Sequence, residues 1–348
     1  MEVNCEGCAG CCLDWRELLE DGAEPDTRDA GDGADADWRH RRRDPFDGGE
    51  DATPSRDPLD DDPSFVPLTR DEVRAFLENG MGDALTPRFW HVRGESKEPR
   101  ASDTSSGESP REGDSVEIDG RNVAAIADRP AFFVGLRKPP KPVAPFGREE
   151  PTWLPTCVFL DPTTLQCRIH GDDLYPDECG AYPEHNLALE HETECERVEA
   201  AFGGDRLRDA EHGDPDGLLL GSQAIGAKLF CHPRPADLEG IVDRAAAGEL
   251  RREDRAEPVA VAAASSPGTL AISEHHYEQA KSRLLEDGES DEASESASSD
   301  GESWVGPAIC DWHRRCREAG ETVPAPELAD TVEGDRGAPE TPGWDDLE

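Results

Sequence analysis

The sequence predicts a small α+β domain with a short β-hairpin, several helices and long disordered acidic insertions. Three observations support this fold class. Apolar residues recur at helical spacing in separate segments, and short apolar runs bounded by turn residues indicate strands. The segments between them are acidic and rich in Gly and Ser. Only 35% of the 348 residues are hydrophobic, so less of the chain can be buried than this length would ordinarily allow.

The first predicted element is an N-terminal segment that carries four thiols in eight residues: Cys5, Cys8, Cys11 and Cys12. Cysteines separated by two residues can direct both sulfurs at one ion, so this spacing recurs in zinc and iron–sulfur sites. Disulfides between such near neighbours would be strained. The side chains of the adjacent Cys11 and Cys12 should diverge, so we expect partner cysteines elsewhere in the chain.

The candidate partners lie further along the chain and are Cys157, Cys167, Cys179 and Cys195. Residues 157–160 and 165–169 flank a turn at 162–164 and predict a β-hairpin that holds Cys157 and Cys167 on neighbouring strands. Pro176 and Pro183 should confine Cys179 to a constrained turn. Cys195 begins a predicted helix, as either a further ligand or a buried residue. From these residues alone, Cys157, Cys167 and Cys179 could be either metal ligands or small buried side chains of the hairpin.

The remaining cysteines are not assigned to this site. Cys231 adjoins His232 in a segment that should be structured, and core packing is the favoured interpretation. Cys310, His313 and Cys316 could form a partial metal site, although simple packing or unligated thiols are favoured there.

The predicted ordered unit is discontinuous. The cysteine-cluster domain should comprise residues 1–19 and 64–250, interrupted by a disordered acidic insertion at 20–63. Beyond it we expect a helical extension at 251–285, a disordered linker at 286–303 and a C-terminal tail at 304–348.

Four local signals place elements within this unit. A capping box at 69–72 precedes a helix, and residues 116–120 should form a strand that enters a turn. Asp237 should cap a second helix that ends at Gly248. Apolar residues at 277, 280 and 284 mark another helix.

The chain is strongly acidic, with a formal net charge of −43 and only five lysines among 36 basic residues. This composition is similar to that of proteins from a high-salt, halophilic cytoplasm, where molar salt shortens the Debye length to about 3 Å and screens self-repulsion. We interpret the charge as adaptation to that solvent rather than as a surface for a cationic partner. The same charge disfavours nucleic-acid binding.

Localisation follows from what the sequence lacks. No apolar run is long enough to span a membrane, and the first residues have neither the basic start nor the apolar core of a signal peptide. We therefore expect a cytoplasmic protein with no membrane contact, and leave a protein partner open. Eleven cysteines in a cytoplasmic chain indicate metal ligands more readily than disulfides.

Together the cysteine blocks resemble the YkgJ-type cysteine cluster family, also described as the CxxCxxCC or zinc/iron-chelating domain. The N-terminal block matches the CxxCxxCC pattern. The other matching positions are Cys157, Phe159, Leu160, Cys167, Ile169, His170, Pro176, Cys179, Tyr182 and Pro183. Tyr175 and Gly180 stand where Arg is common in the family. The matched motifs cover the N-terminal end and roughly residues 150–200.

The resemblance favours metal ligation by Cys157, Cys167 and Cys179 over simple burial. It implies a metal-centred domain in which cysteine thiolates from both blocks hold a zinc ion or an iron–sulfur cluster. It extends to flagellin lysine N-methylases, which use S-adenosylmethionine, so an iron–sulfur-dependent protein lysine N-methyltransferase is one alternative. Metal buffering or delivery is another. Seven or eight thiols exceed what one ion needs, which favours a cluster, two sites, or a cluster with spare thiols. The sequence shows no Gly-rich nucleotide loop after a strand and no recognisable nucleophile set, so catalysis and its residues are left open.

Overall fold

A curved six-stranded antiparallel sheet lies at the centre of the structure, a computed structural model that describes residues 1–19, 56–92, 113–189, 191–213, 225–286, 303–320 and 322–344. Its strands are β2 (Arg56–Pro58), β3 (Leu85–Val92), β4 (Ser115–Ile118), β5 (Arg121–Ile126), β6 (Arg129–Leu136) and β10 (Phe230–Cys231). Two smaller antiparallel pairs join β1 (Glu2–Val3) to β9 (Leu207–Asp209) and β7 (Pro140–Val143) to β8 (Thr152–Pro155). These observations confirm the α+β class.

The helices of the described residues surround this sheet. They are α1 (Arg70–Glu78), α2 (Asp177–Ala181), α3 (Glu184–Ala188), α4 (Glu194–Phe202), α5 (Ile241–Ala246), α6 (Arg252–Ala264), α7 (Glu274–Glu286), α8 (Val305–Ala319) and α9 (Leu328–Val332). None of the helices in the described part is both long enough and apolar enough to cross a membrane.

The sheet is coiled because β3 pairs with both β6 and β5, and these two strands also pair with each other. Its first half pairs with β6, from Leu85 opposite Leu136 to Phe89 opposite Phe132. Its far end pairs with β5, and β5 and β6 also pair with each other beyond a tight turn. The sheet buries the rings of Phe89, Phe132 and Phe230. The centroid of the Phe132 ring lies 5.6 Å from that of Phe89 and 5.9 Å from that of Phe230 on β10.

The predicted helical extension at 251–285 contains the helices α6 and α7, and α6 lies in the core. It packs against β3, β6, β10, α1 and α7, and its residues from Ala256 to Ala264 are all buried. The small Ala and Val side chains let the helix approach the sheet closely, while α7 covers its outer side as the pattern at 277–284 predicted.

The predicted C-terminal tail is also part of the core. Trp304, Ile309 and Trp312 of the α8 region are buried, and the Trp312 ring packs edge-on against Trp153 of β8. Behind it, Lys141 forms a fully buried ion pair with Glu333. The tail is therefore fixed by apolar burial and by charge pairing that sequence periodicity does not reveal.

The predicted acidic insertion at 20–63 extends too far at its C-terminal end. Residues 20–55 lie outside the described residues, as do 287–302 of the predicted linker. Residues 56–63 are ordered, because β2 pairs with β3 and the following aspartates meet cations. Asp60 pairs with Arg88, Asp61 with Arg16 and Asp62 with Lys138.

Local predictions had mixed outcomes. The capping box at Thr69 and Glu72 begins α1 as expected, and the predicted strand at 116–120 is β4 with its turn. Asp237 does not cap a helix, since it lies within the 3₁₀ turn Pro235–Leu238. The helix begins after Gly240 instead, whose N–H donates to the Asp119 carboxylate at 2.8 Å.

Candidate metal centre

The N-terminal cysteine block folds against helix α4. The 3₁₀ turn Gly10–Cys12 follows Ala9, which has a left-handed backbone. A Cβ atom on Gly10 would lie only 2.7 Å from the Val198 side chain of α4, so only glycine fits without a shift. Cys195 is the second residue of α4. The close approach at Gly10 therefore brings the first cysteine block next to Cys195.

The two cysteine blocks lie side by side in the fold. The backbone N–H of Cys157 donates to the carbonyl oxygen of Cys12 at 2.7 Å. The pairing continues at the adjacent residues, where an antiparallel bridge joins Leu13 to Thr156. The predicted convergence of the distant blocks therefore has a direct backbone contact.

The predicted hairpin at 157–169 is wrong in detail, because a single bridge joins Leu160 to Cys167 and neither segment is a strand. The Leu160 N–H is used in a turn to the Cys157 carbonyl at 2.9 Å. The Lys141 ammonium donates hydrogen bonds to the carbonyls of Val158 and Leu160 at 2.8 and 2.7 Å. These local bonds replace a strand ladder but keep the two cysteines near each other.

Cys179 reaches the same region through helix α2. The prolines at 176 and 183 bracket this helix as the sequence suggested, although the segment is one helical turn rather than a simple turn. Tyr182 follows α2, and its hydroxyl accepts a hydrogen bond from the Glu194 N–H at the start of α4. This contact ties the element that carries Cys179 to the element that carries Cys195.

Four of the thiols form what we call the N-terminal thiol set: Cys5, Cys8, Cys11 and Cys195. Partial loss of solvent around the thiol, with a contribution from the Cys11 thiol, raises the pKa of Cys5 to about 12, although Cys5 is an exposed residue. Burial likewise raises the pKa of Cys8 to about 11, although the Gly10 amide opposes the change. Burial and then the other three thiols of the set raise the pKa of Cys195. Each thiol is therefore close enough to its neighbours to disfavour their ionisation.

The other four thiols form the second thiol set: Cys12, Cys157, Cys167 and Cys179. The hydrogen bond from Cys11 lowers the pKa of Cys12, but burial and the three other thiols of this set raise it overall. Burial and the Cys157 thiol raise the pKa of Cys167 to about 12. Cys11 also contributes to the raised pKa values of Cys167 and Cys179. The two sets therefore adjoin at Cys11 and Cys12.

The spacing within the sets is wider than a single tetrahedral ion requires. Between the two sets, the sulfurs of Cys11 and Cys12 lie 3.8 Å apart, so the expectation that these side chains diverge is wrong. Four thiolates at 2.3 Å from one zinc ion would all lie about 3.8 Å from one another. Among the described residues, however, no three cysteine sulfurs lie within 4.8 Å of each other.

Cations lie beside both thiol sets. Arg206 opposes the rise in the pKa of Cys5 and of Cys8. Lys141 and Lys138 oppose the burial that raises the pKa of Cys157. In this strongly acidic chain, these three cations partly offset the negative charge that ionised thiols would carry.

The remaining cysteines lie away from these sets. Cys231 is buried on β10 in contact with Ala131 and Leu229, as core packing predicted. Cys310 and Cys316 lie on α8. The thiols of the eight predicted ligands are thus grouped by the fold, and the three others are not part of either set.

Sequence reasoning missed a buried polar network centred on Glu257. The Glu257 carboxylate accepts hydrogen bonds from His232 at 3.0 Å, from Tyr277 at 2.7 Å and from Lys281 at 2.5 Å. Together with Asp237, His232 and Glu257 place ligand atoms within 4.8 Å of one another. However, Asp237 pairs with Arg234 and Glu257 pairs with Lys281. Both carboxylates therefore already have a positively charged partner and need no metal ion.

A cavity of about 470 Å³ opens between α1 and the loop before α2. Acidic side chains at its rim include Glu72, Asp173 and Asp177, and Phe76 and Leu174 supply apolar surface. No cysteine lines it, so the cavity and the thiol sets are separate features of the described chain.

The fold and these thiols define an α+β protein with two adjoining sets of four cysteines. A family of unknown function, DUF7531, matches residues 1–345, and the chain belongs to that family. No curated protein and no solved structure matches the chain.

Proposed function

We propose that the protein binds metal through cysteine thiolates drawn from both blocks. The observation that carries the proposal is the 2.7 Å hydrogen bond from the Cys157 N–H to the Cys12 carbonyl. It brings together two thiol-rich segments that are far apart in the sequence. The ligands we propose are Cys5, Cys8, Cys11, Cys12, Cys157, Cys167, Cys179 and Cys195.

The raised pKa values support this proposal through their physical cause. Burying several thiols together is unfavourable for their ionised forms, both because water is lost and because the thiolates repel one another. A bound cation reverses both effects, and coordinating thiols lose their protons outright. The donor set therefore fits a thiophilic metal, and Lys141 and Arg206 would offset the remaining negative charge.

An iron–sulfur cluster fits the spacing better than a single zinc ion. In a cubane, four irons separate the thiolates, so the ligating sulfurs lie farther apart than on one ion. Among the described residues, no three thiols lie as close together as the zinc geometry requires. Two sets of four thiols also match the ligand count of two clusters, since each cubane takes four cysteines. Such a centre would supply electron-transfer chemistry, and the chain's own contribution is burial, charge compensation and positioning of the thiols.

The first experiment is anaerobic purification of the full chain, followed by analysis of iron, acid-labile sulfide and zinc. A brown protein with iron and sulfide in equal amounts supports the cluster. A colourless protein with stoichiometric zinc supports thiolate chelation but not the cluster. A folded chain that contains neither metal would contradict the proposal.

A second experiment tests the ligands. Serine substitutions at Cys12, Cys157 or Cys179 should each lower metal content, and folding should weaken with it because ligation and folding are coupled. Cys310→Ser and Cys316→Ser are matched controls that should keep the metal. Loss of metal in the controls but not in Cys157→Ser would place the site elsewhere.

The two alternative functions give different results in the same preparation. A lysine N-methyltransferase should consume S-adenosylmethionine in the presence of a protein substrate. A metal-delivery protein should transfer its metal to a competing chelator within minutes. Stable retention without turnover of S-adenosylmethionine favours a resident metal centre over both alternatives.

A further inference from the structure

Three arginines, Arg137, Arg252 and Arg255, lie close together beside Asp83. Arg137 follows the end of β6, and Arg252 and Arg255 lie one turn apart on α6. Two of the three contact the same residue: Arg137 donates to the Asp83 carbonyl at 3.0 Å, and Arg252 pairs with the Asp83 carboxylate at 3.0 Å. We call these three side chains and Asp83 the arginine cluster.

The arginine cluster carries more positive than negative charge. Its single carboxylate, Asp83, is engaged by Arg252. Among the described residues, neither the Arg137 nor the Arg255 guanidinium has a carboxylate within 4.0 Å, and each donates only to a backbone carbonyl. Many other arginines among the described residues pair with acidic side chains, as Arg16, Arg88 and Arg244 do. Two uncompensated guanidiniums are therefore unexpected in a chain with a net charge of −43.

Their environment makes this arrangement costly. Burial and the neighbouring Arg255 lower the pKa of Arg137 to about 9. Arg137 is therefore protonated at neutral pH, although burial and the positive charge of Arg255 disfavour this form. Burial, followed by Arg137, Arg317 and Arg255, lowers the pKa of His313 on α8 to about 4. His313 is thus neutral at neutral pH, and the cluster keeps roughly two unbalanced positive charges.

We propose that the arginine cluster binds a phosphate group. A dianion would balance the two remaining charges, and the planar fork of each guanidinium matches phosphate oxygens with paired hydrogen bonds. A chloride ion offers neither the second charge nor several acceptor atoms. Arg137 and Arg255 are partly exposed as residues, so part of each side chain contacts solvent.

The first test measures binding of inorganic phosphate to the full chain as purified, with chloride at matched ionic strength as reference. Phosphate should raise the melting temperature and chloride should not. Arg137→Gln and Arg255→Gln should each weaken phosphate binding about tenfold. Arg314→Gln is the matched control, because Arg314 is an exposed arginine on α8 already paired with Asp311.

A purely structural role for these arginines predicts a different pattern. Without phosphate, Arg255→Gln should melt at the wild-type temperature or higher, because removing one of three like charges relieves repulsion. A structural arginine would instead lose stability with or without phosphate. Equal effects of phosphate and chloride, or equal phosphate affinity in all three variants, would overturn the proposal.

Cys310 provides an independent reporter. Cys310 is exposed on α8. It lies close enough to Arg137 and Arg255 for its thiolate to oppose the lowering of their pKa values. The anionic reagent iodoacetate should therefore modify Cys310 faster, relative to neutral iodoacetamide, than it modifies Cys316. Cys316 lies on the same helix, but its charged neighbour is Glu17. Phosphate should slow the reaction at Cys310 only, and identical rate ratios at both thiols would count against the site.

The source of the phosphate group is resolved with phenyl phosphate as a second probe. Binding of both probes assigns the site to a phosphate monoester, whereas binding of inorganic phosphate alone assigns it to the free ion. Binding of neither would refute the proposal.

Discussion

The Lys141 ammonium lies 2.6 Å from the Glu333 carboxylate, and both side chains are completely buried. Lys141 also donates to the carbonyls of Val158 and Leu160, between Cys157 and Cys167. Glu333 accepts further bonds from Arg168 at 2.8 Å and from the Trp312 indole at 2.8 Å. The pair therefore connects the C-terminal region to the backbone that carries the second thiol set.

Lys141→Met tests this connection. It should lower the free energy of unfolding by about 3–5 kcal/mol, because it removes one partner of a buried pair and leaves two carbonyls without their donor. Metal content should fall as well, since residues 157–160 lose their support. Urea unfolding of metal-loaded and chelator-treated protein measures both effects.

The control for this variant is Arg208→Gln, because Arg208 forms an exposed pair with Glu2. Its effect should stay within about 1 kcal/mol. If Lys141→Met were as mild as this control, the buried pair would not hold the C-terminal region in place.

Proton release provides the second prediction. In the metal-free chain, burial keeps the pKa of Cys5, Cys8 and Cys167 at about 12, 11 and 12. At neutral pH these thiols are protonated, so each one that binds a metal must lose a proton. Zinc used as a probe should release about four protons per ion if four thiols bind it. Its apparent affinity should rise with pH.

Isothermal titration in buffers of different ionisation enthalpy counts these protons. The Cys157→Ser variant should release fewer, and Cys316→Ser should match the wild type. Release of no protons at neutral pH would show that ligands other than thiols hold the metal.

Acid stability provides the third prediction. Burial alone would raise the pKa of Glu257, but hydrogen bonds from His232, Lys281 and Tyr277 lower it to about 2, against an ordinary value of 4.5. A carboxyl group with a depressed folded-state pKa stabilises the protein above its unfolded-state pKa. This contribution should therefore be complete above pH 4.5 and disappear as the pH falls towards 2.

Glu257→Gln should flatten this pH dependence. Between about pH 5 and pH 3, the wild type should lose more stability than the variant, as measured by urea unfolding. Glu274→Gln, an exposed carboxylate near the same network, should keep the wild-type slope. Parallel curves for all three proteins would mean that Glu257 is not the group that titrates.

Some short-range signals in the sequence predicted local structure correctly, although the Asp237 cap and the hairpin at 157–169 were wrong. The Thr69 capping box, the apolar face of α1 and the start of α4 depend on residues within one or two turns of each other. We expected Cys12 and Cys157 to lie close together because closely spaced cysteines are typical of metal sites that need further ligands. The sequence did not reveal the backbone hydrogen bond between these two residues.

Long-range charge pairing was not predictable from the sequence. Asp60 resembles part of a solvated acidic run until the fold brings Arg88 beside it. Glu257 and Glu333 are two among many acidic residues, and nothing in their local sequence indicates burial. The convergence of Arg137 with Arg252 and Arg255 likewise depends on how β6 meets α6.

The last prediction concerns the boundary of the acidic insertion. Arg16 Nη1 lies 3.1 Å from the Asp61 carboxylate, so the chain leaves and re-enters the described fold at neighbouring points. A linker of about ten residues spans up to roughly 35 Å, which is ample for this closure. Shortening a closed loop also costs little, at about 0.6 kcal/mol per twofold change in length. Replacing residues 22–54 with such a linker should therefore preserve both folding and metal content.

Extending the same replacement to residue 62 should have the opposite result. It would remove β2 and the aspartates that neutralise Arg88 and Lys138, both of which are buried at 6–7% side-chain exposure. Unpaired buried cations typically cost about 3–5 kcal/mol each, and Lys138 adjoins the second thiol set. Thermal unfolding and metal analysis of the two shortened proteins make the comparison. Equal stability of both would show that residues 56–62 do not belong to the folded unit. Loss of metal in the protein that lacks only residues 22–54 would show that this segment is needed for metal binding.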